Sequence, residues 1–499
     1  MKRLTKSILL LPLLGLAVST MGFSLIGPFK NGAAPNDWQA AGFGGQPAGL
    51  GYSLAGDVGG PMFPLEGYRW NVPVLTYAFD ESFLRYFGND GVTAVSNAFK
   101  ILNDLPPFTT MSHDLSEFPW DSKQAVRFNQ QFQTLGLEDV KSLTLAAIIE
   151  HMGLAKPERF VWSLRSRITF PTITNYATIM MNYDPVATFQ PSRYVNGILY
   201  SFLIEDAIGP MGGEWASAVE FYRSDPYYLP YSAVAGGLGS SDDEFGSQPG
   251  VFTVSGLGPG EYYTGLSRDD IGGLKFLYGT NNMVTELLLA DVTGGQPTGN
   301  AGSPWAPFFG STNVFLNATN AIFSTNVLGT NLIRQGLRPG ANKIVFKQVQ
   351  FDSLLGQIFN PVTNKYTDTV ISNSTPIIQP VQRASVQPDI LFLVQDLGLV
   401  RGVPVSFRRT DTTGWQNNDP INGFSNLGGP GVITPQVQML YSDLLPYFLN
   451  FQPFSLDEIS AASSFIWGSF DGTTNAPIIY PNYLGITLRD LQNAALGGH

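Results

Sequence analysis

Three histidines are the residues of this chain best suited to metal chemistry: His113, His151 and His499. A zinc-hydrolase helix presents two imidazoles four residues apart, so that both face one Zn²⁺, and a further ligand comes from beyond the helix. No two of these histidines have that spacing. His151 falls near the end of a predicted helix, where the helix dipole favours an imidazole, and His113 lies beside Asp114 in a turn-like segment. The histidines therefore do not predict an assembled zinc site.

Pairs of acidic residues suggest a second chemistry. Glycoside hydrolysis uses two carboxyl groups on opposite sides of a bound sugar, and the obvious pairs are Asp269-Asp270 and Glu205-Asp206. The sequence does not give the separation of these carboxyl groups, and helix capping explains Asp270 without catalysis. A glycan-acting hydrolase is therefore the less favoured enzymatic alternative.

A short acidic segment is a weak candidate for calcium binding. Asp242, Asp243 and Glu244 follow one another in a Gly- and Ser-rich stretch, and Asp291 lies in another polar turn. Carboxylate oxygens are the ligands that Ca²⁺ prefers, but the spacing is not that of an EF-hand, and a solvated loop is the alternative interpretation. We expect no cofactor, with calcium left open and zinc required only if the chain is a peptidase.

Tyrosines are concentrated between Tyr222 and Tyr231 (YRSDPYYLPY). Such a cluster is typical of core and loop packing, and it also suits a platform for carbohydrate or peptide. The chain contains no Gly-x-Ser-x-Gly elbow, phosphate loop or dinucleotide fingerprint. The commoner catalytic and nucleotide-binding motifs are thus excluded.

Composition limits the class of protein. A chain of 499 residues favours two or three domains. Charged residues make up only 13%, against about a quarter in average soluble proteins, while 54 Gly and 35 Pro indicate many turns and a β-rich architecture. The absence of cysteine excludes disulfides, thiol catalysis and cysteine-ligated metals.

The N-terminus predicts export. Residues 1–24 resemble a secretory signal, with Lys2, Arg3 and Lys6 before the apolar run Ser7–Val18. That run is shorter than the ~20 residues needed to span a bilayer, so an uncleaved anchor is the less favoured alternative. We expect a secreted or cell-surface protein with no membrane span after signal removal.

The charge of the chain limits its partners. The formal net charge is −11, and removal of the signal makes it more negative by three charges. Nucleic acid and anionic membranes are therefore disfavoured. Extracellular protein or polysaccharide is the expected class of partner, with self-association left open.

Periodicity predicts elements along the first half of the chain. Residues 25–66 are Gly- and Pro-rich, typical of an extended leader. The alternation in Asn71–Asp80 predicts a strand, and apolar spacings of three and four through Val92–Leu102 predict a helix. A second amphipathic helix is predicted over Ser142–Met152, with Gly153 as the left-handed residue that ends it.

Later segments carry turn and capping signals. Asn196-Gly197 predicts a type I′ hairpin, and Ser267–Gly279 predicts a helix with Ser267 and Asp270 in capping-box spacing. Beyond Asn281 short apolar runs suggest a β-sandwich. These runs are Asn313–Leu316, Lys343–Val349, Ile390–Val394, Val403–Phe407 and Phe465–Trp467.

Two segments resemble the matrixin family of zinc peptidases. Trp70–Asp80 followed by Phe83–Ala98 is similar to the first strand and helix of matrixins. Gly265–Gly279 (GLSRDDIGGLKFLYG) resembles their terminal helix, which carries Leu-Ser-x-Asp-Asp-Ile-x-Gly and ends in Leu-Tyr-Gly. The resemblance implies an α+β metzincin/matrixin-like domain over residues 67–280, followed by a β-rich, sandwich-like domain over residues 281–499, in a large secreted bacterial protein.

The same resemblance implies where a zinc site would lie. Anchored on Gly153-Leu154, the family's His-Glu-x-x-His-x-x-Gly-Leu-x-His motif puts Ala146 and Glu150 at the first two ligand positions, Ala147 at the general base and Lys156 at the third ligand. An alanine neither binds metal nor transfers a proton, and an ammonium group repels a cation. The zinc-binding motif is thus degenerate.

These observations predict a pseudoenzyme. The expected function is a non-catalytic, extracellular structural or binding component. The main alternative is an extracellular zinc-dependent metallopeptidase that uses other ligands.

Overall fold

The computed structural model describes part of the chain in detail. The described residues are 21–27, 60–119, 126–155, 157, 161, 163–169, 174–186, 190–208, 214–223, 259–294, 332–395, 399–400, 403–404, 409–417, 430–444, 466–470, 473 and 475–496.

Within these residues the structure is mixed α/β, with many strands and few helices. The helices are α1 (Glu81–Asn103), α2 (Gln130–Thr134), α3 (Val140–His151), α4 (Arg268–Tyr278) and α5 (Leu488–Ala495), and 3₁₀ turns occupy Pro64–Glu66, Phe108–Thr110 and Asn482–Leu484. The strands before α4 are β1 (Ser24–Gly27), β2 (Gly60–Met62), β3 (Tyr68–Arg69), β4 (Val74–Phe79), β5 (Val126–Phe128), β6 (Leu137–Asp139), β7 (Leu154–Ala155), β8 (Ser163–Thr169), β9 (Thr174–Ile179), β10 (Tyr194–Val195), β11 (Ile198–Ile208), β12 (Glu214–Arg223) and β13 (Glu261–Tyr263). Those after α4 are β14 (Val284–Leu287), β15 (Val292–Gly294), β16 (Gln335–Arg338), β17 (Val345–Gln348), β18 (Phe351–Asp352), β19 (Gln357–Ile358), β20 (Val362–Ser372), β21 (Thr375–Ser385), β22 (Ile390–Gln395), β23 (Leu399–Val400), β24 (Val403–Pro404), β25 (Arg409–Asn417), β26 (Gly431–Ser442), β27 (Ile466–Ser469) and β28 (Ile478–Ile479).

A central sheet organises the fold. Its strand order is β17-β4-β22-β26-β25, and β3 also pairs with β26. The strands β17, β4, β22 and β26 are parallel, whereas β25 runs antiparallel to β26. Because parallel neighbours need long crossover connections, segments far apart in sequence become adjacent in this sheet.

The predicted strand and first helix are both confirmed, and they pack on each other. Asp80 caps α1 by accepting a hydrogen bond from the backbone N–H of Ser82 at 2.9 Å. The ring of Tyr77 stacks on Phe99 of α1 with centroids 3.9 Å apart, while Phe79 lies 4.9 Å from Phe83. One face of β4 is thereby covered by α1, as alternation along the strand predicts.

A second sheet has the order β14-β16-β20-β21-β15. Its long hairpin β20–β21 turns at Asn373 and Ser374, whose φ angles are 48° and 60°. Two consecutive positive φ values are the signature of a type I′ turn, which matches strand twist. The hairpin predicted at Asn196-Gly197 is confirmed, because β10 pairs with β11 across these two residues and both have positive φ angles.

Buried arginines connect the two sheets. Arg383 of β21 donates to both carboxylate oxygens of Asp389, at 2.5 and 3.0 Å, and Asp389 in turn accepts from the backbone N–H of Thr76 in β4 at 2.7 Å. Arg69 pairs with Glu286 at 2.5 Å between β3 and β14. Burial raises the pKa of Glu286, although both arginine neighbours oppose that shift. The Arg69–Glu286 ion pair joins residues 217 positions apart, and the hydrogen bond from Thr76 to Asp389 joins residues 313 positions apart.

The central sheet corrects the predicted domain division. Strand β4 lies between β17 and β22, so it pairs on both edges with strands from beyond residue 280. The sheet therefore crosses the boundary predicted between residues 67–280 and 281–499. Two of the strands expected for a self-contained sandwich, β17 and β22, instead complete a mixed sheet around β4.

The N-terminal boundary also needs correction. Phe23 is 2% exposed and belongs to the main core, and Leu25 of β1 pairs with Leu154 of β7. The last residues of the predicted 1–24 signal thus run into the fold, and the predicted leader, residues 25–66, begins with a buried strand. Residues 1–20 and 28–59 lie outside the described part of the chain.

In the part of the chain that the structure describes, no helix is both long and apolar enough to cross a membrane.

Candidate functional site

Helix α3 carries the positions where the resemblance implies a zinc site. All its residues except Lys141 are buried. The helix was expected to be amphipathic, but it is covered on every side, because α1, β26 and β27 all contact it. A helix that is buried around its whole circumference is typical of a core element.

Both ends of α3 are fixed by hydrogen bonds. Asp139 caps the start by accepting from the backbone N–H of Ser142 at 3.0 Å. Burial raises the pKa of Asp139, although Lys141 and hydrogen bonds from Ser142 and Phe470 oppose the shift. At the other end Gly153 adopts φ 98°, as predicted, and a Cβ there would lie 2.1 Å from the carbonyl oxygen of Tyr68. Only glycine fits this position.

The segments that carry the family resemblance meet at the end of α3. The indole N–H of Trp70 donates to the carbonyl of His151 at 2.8 Å, and the Tyr278 hydroxyl donates to the carbonyl of Met152 at 2.8 Å. The same hydroxyl accepts from the backbone N–H of Trp70 at 3.3 Å. Burial raises the pKa of Tyr278, so it remains a donor at any physiological pH. Trp70 and Tyr278 thus satisfy carbonyls that the helix end leaves open.

The implied ligand positions do not face an open site. Ala146 and Ala147 are each 0% exposed, and Glu150 is 2% exposed. A catalytic zinc centre keeps an open coordination position for water and substrate. At two of these positions, Ala146 and Ala147, the chain instead places methyl groups in the main core. Lys156 lies outside the described residues.

The acid pair on α4 has structural partners. Asp270 accepts from both the backbone N–H and the hydroxyl of Ser267 at 2.8 Å, which confirms the predicted capping box. Asp269 accepts from the backbone N–H of Gly22 at 3.2 Å and from that of Asn196 at 2.6 Å. These carboxylates organise three segments of backbone around the start of α4.

The remaining candidates are scattered. His113 is exposed, Asp291 accepts from Arg383 at 2.7 Å, and Glu205-Asp206 lies within strand β11. Asp242, Asp243, Glu244 and His499 fall outside the described residues, as does the Tyr222–Tyr231 cluster beyond Arg223. Among the residues the structure describes, no three His, Asp or Glu side chains converge to hold a metal ion.

Sequence reasoning missed the buried polar network. Arg69, Arg338 and Arg383 are each 2% exposed. Their carboxylate partners are Glu286 on β14, Asp368 on β20 and Asp389 just before β22. The sequence signal for this network was the low proportion of charged residues, because a charged residue within an apolar strand is unusual in such a chain. The neighbouring sequence did not indicate which carboxylate each arginine would pair with.

Comparison with known proteins gives no relative: no family model, no curated protein and no solved structure matches the chain.

Proposed function

We propose that this chain is a secreted, non-catalytic protein with a matrixin-like scaffold that acts outside the cell as a structural or binding component. The expected location rests on the N-terminal sequence, and the scaffold rests on the two resembling segments. Their packing against one helix end, through Trp70 and Tyr278, supports a common structural role.

One observation carries the non-catalytic proposal. The residues aligned with the first zinc ligand and the general base are Ala146 and Ala147, and both are fully buried. Zinc peptidases lower the pKa of a metal-bound water to about 7 and remove its proton with a nearby base. A methyl group supplies neither function, so the helix keeps its packing role alone.

The competing proposal is a metallopeptidase with ligands elsewhere. A casein digestion assay with and without a zinc chelator separates the two, with an active zinc peptidase as the positive control. We expect no chelator-sensitive digestion by the full-length protein.

A variant of Glu150 tests whether α3 takes part in any casein digestion. If casein is digested, Glu150→Gln shows whether the helix participates, because Glu150 is its remaining carboxylate at an aligned ligand position. Chelator-sensitive digestion that Glu150→Gln abolishes would overturn the proposal. Digestion by the wild type that is insensitive to this change would place the activity in another site and would equally contradict a non-catalytic role.

A further inference from the structure

A cleft of about 470 Å³ opens at the carboxyl end of the central sheet. Its walls come from the first turns of α1, the ends of β22 and β26, and the 3₁₀ turn Asn482–Leu484. None of the α3 ligand positions lines it. Small-molecule sites commonly occupy about 300–1,000 Å³, so the cleft has the size of a ligand site.

The sheet topology gives an independent reason to expect a ligand here. After β4 the chain adds β17 on one edge, and it then adds β22 on the other. The strand order therefore reverses between β4 and β22. In open α/β sheets, ligands bind outside the carboxyl ends of the strands at such a reversal.

The walls of the cleft are fixed by hydrogen bonds. The Ser82 hydroxyl donates to Asp80 at 2.6 Å and accepts from the backbone N–H of Val394 at 3.1 Å, which ties α1 to β22. Tyr86, 4% exposed, donates its hydroxyl to the carbonyl of Leu444. Burial raises the pKa of Tyr86 well above its usual value, so this donor persists. These hydrogen bonds join the walls of the cleft to the end of the sheet.

The exposed groups of the cleft are polar and aromatic. Arg85, Gln395 and Asp443 are exposed and line the cleft, and the ring of Tyr483 is 63% exposed. One cation and one anion give these exposed groups no net charge, which disfavours strongly acidic or basic ligands. Forked amide, guanidinium and carboxylate groups offer paired donors and acceptors, and the ring offers an apolar face.

We propose that this cleft binds a neutral mono- or disaccharide unit of an extracellular glycan. The Tyr483 ring packs against the C–H face of the sugar, while Arg85, Gln395 and Asp443 bond its hydroxyls. Hydrolysis requires two carboxyl groups, and Asp443 is the carboxylate among the lining residues, so the site binds without cleaving. This inference rests on the proposed binding role.

Isothermal titration of the full-length protein with cellobiose, maltose, lactose and N,N′-diacetylchitobiose tests the inference. We expect saturable binding of at least one disaccharide. Tyr483→Ala should weaken it about ten-fold or more, because aromatic packing is lost, whereas Tyr483→Phe should retain it. Asp443→Asn should also weaken binding, and Phe359→Ala, which removes an exposed ring elsewhere, should leave it unchanged.

The outcomes separate this inference from the proposed function. Absence of saturable binding by all four disaccharides would overturn it, as would binding that is insensitive to both Tyr483→Ala and Asp443→Asn. Saturable binding of hexalysine in place of the sugars would identify a charged ligand and would also overturn it. Each result leaves the non-catalytic proposal standing, since that proposal is tested by proteolysis and not by sugar binding.

Discussion

Replacing Arg383 with methionine should destabilise the whole fold. Its guanidinium is 2% exposed and pairs with Asp389, which is 0% exposed, and with Asp291, which is 33% exposed. Water can reach Asp291 after the substitution but cannot reach Asp389. Asp389 would keep only the two hydrogen bonds from Thr76, at 2.7 and 3.0 Å, and neither donor carries a charge.

The expected loss of stability follows from the difference in exposure between Asp389 and Asp291. Removing one partner of a buried ion pair costs about 3–5 kcal/mol, because an uncompensated charge remains in the interior. Most of this loss should come from leaving the buried carboxylate of Asp389 without a charged partner. The matched control is Lys100→Met, because Lys100 pairs with Asp104 on the surface of α1, where the side chains are 67% and 62% exposed. Exposed helical pairs of this spacing contribute about 0.3–0.5 kcal/mol.

Urea unfolding followed by tryptophan fluorescence measures both changes, since Trp70 and Trp467 are buried reporters. The double variant Arg383→Met with Asp389→Asn should recover part of the loss, because no unpaired charge is left. If Arg383→Met lowers the free energy of unfolding no more than Lys100→Met does, the buried pair does not join the sheets as described.

Three further predictions concern the core helix and the sheet. Ala147→Glu should lower the free energy of unfolding by more than about 3 kcal/mol, because it buries an unpaired carboxylate. The control Lys141→Glu should not lower it in this way. If Ala147→Glu leaves the stability unchanged, the position faces an open site and not the core. The pKa of Asp139 is raised in the folded state, so ionisation of this carboxyl group costs stability as pH rises above the usual aspartate pKa of about 4. Asp139→Asn should therefore gain stability relative to wild type as pH rises above about 4, and a difference in urea unfolding that does not change with pH would refute this. A fragment of residues 281–499 should fail to fold alone, because β17 and β22 lack β4 between them; a cooperative thermal transition in its circular dichroism would contradict the sheet.

Local signals in the sequence were sufficient for individual elements. Alternation gave β4, the 3.6-residue period gave α1, and the Ser267–Asp270 spacing gave the start of α4. Each of these depends on contacts within a few residues, such as a cap or one apolar face. The Asn196-Gly197 turn is local in the same way.

The pairing of strands that are far apart along the chain left no such signal in the sequence. Parallel pairing of β4 with β17 and β22 joins residues about 270 to 310 positions apart, and short apolar runs look alike whether they form a sandwich or a mixed sheet. The cleft depends on long-range contacts in the same way, because Ser82 and Tyr483, which both line it, are far apart in the sequence. The sequence alone showed that the aligned zinc positions are degenerate. It did not predict the full burial of α3, because the helical spacing of its apolar residues suggested one exposed face.

Zinc stoichiometry tests the central claim most directly. The full-length protein would be purified without chelators, dialysed against buffer containing zinc and then against zinc-free buffer, and analysed for metal by mass spectrometry. Because Ala146 and Ala147 occupy the aligned ligand and base positions in a closed core, we expect no stoichiometric zinc. One tightly held zinc ion per chain, lost on Glu150→Gln, would contradict the account.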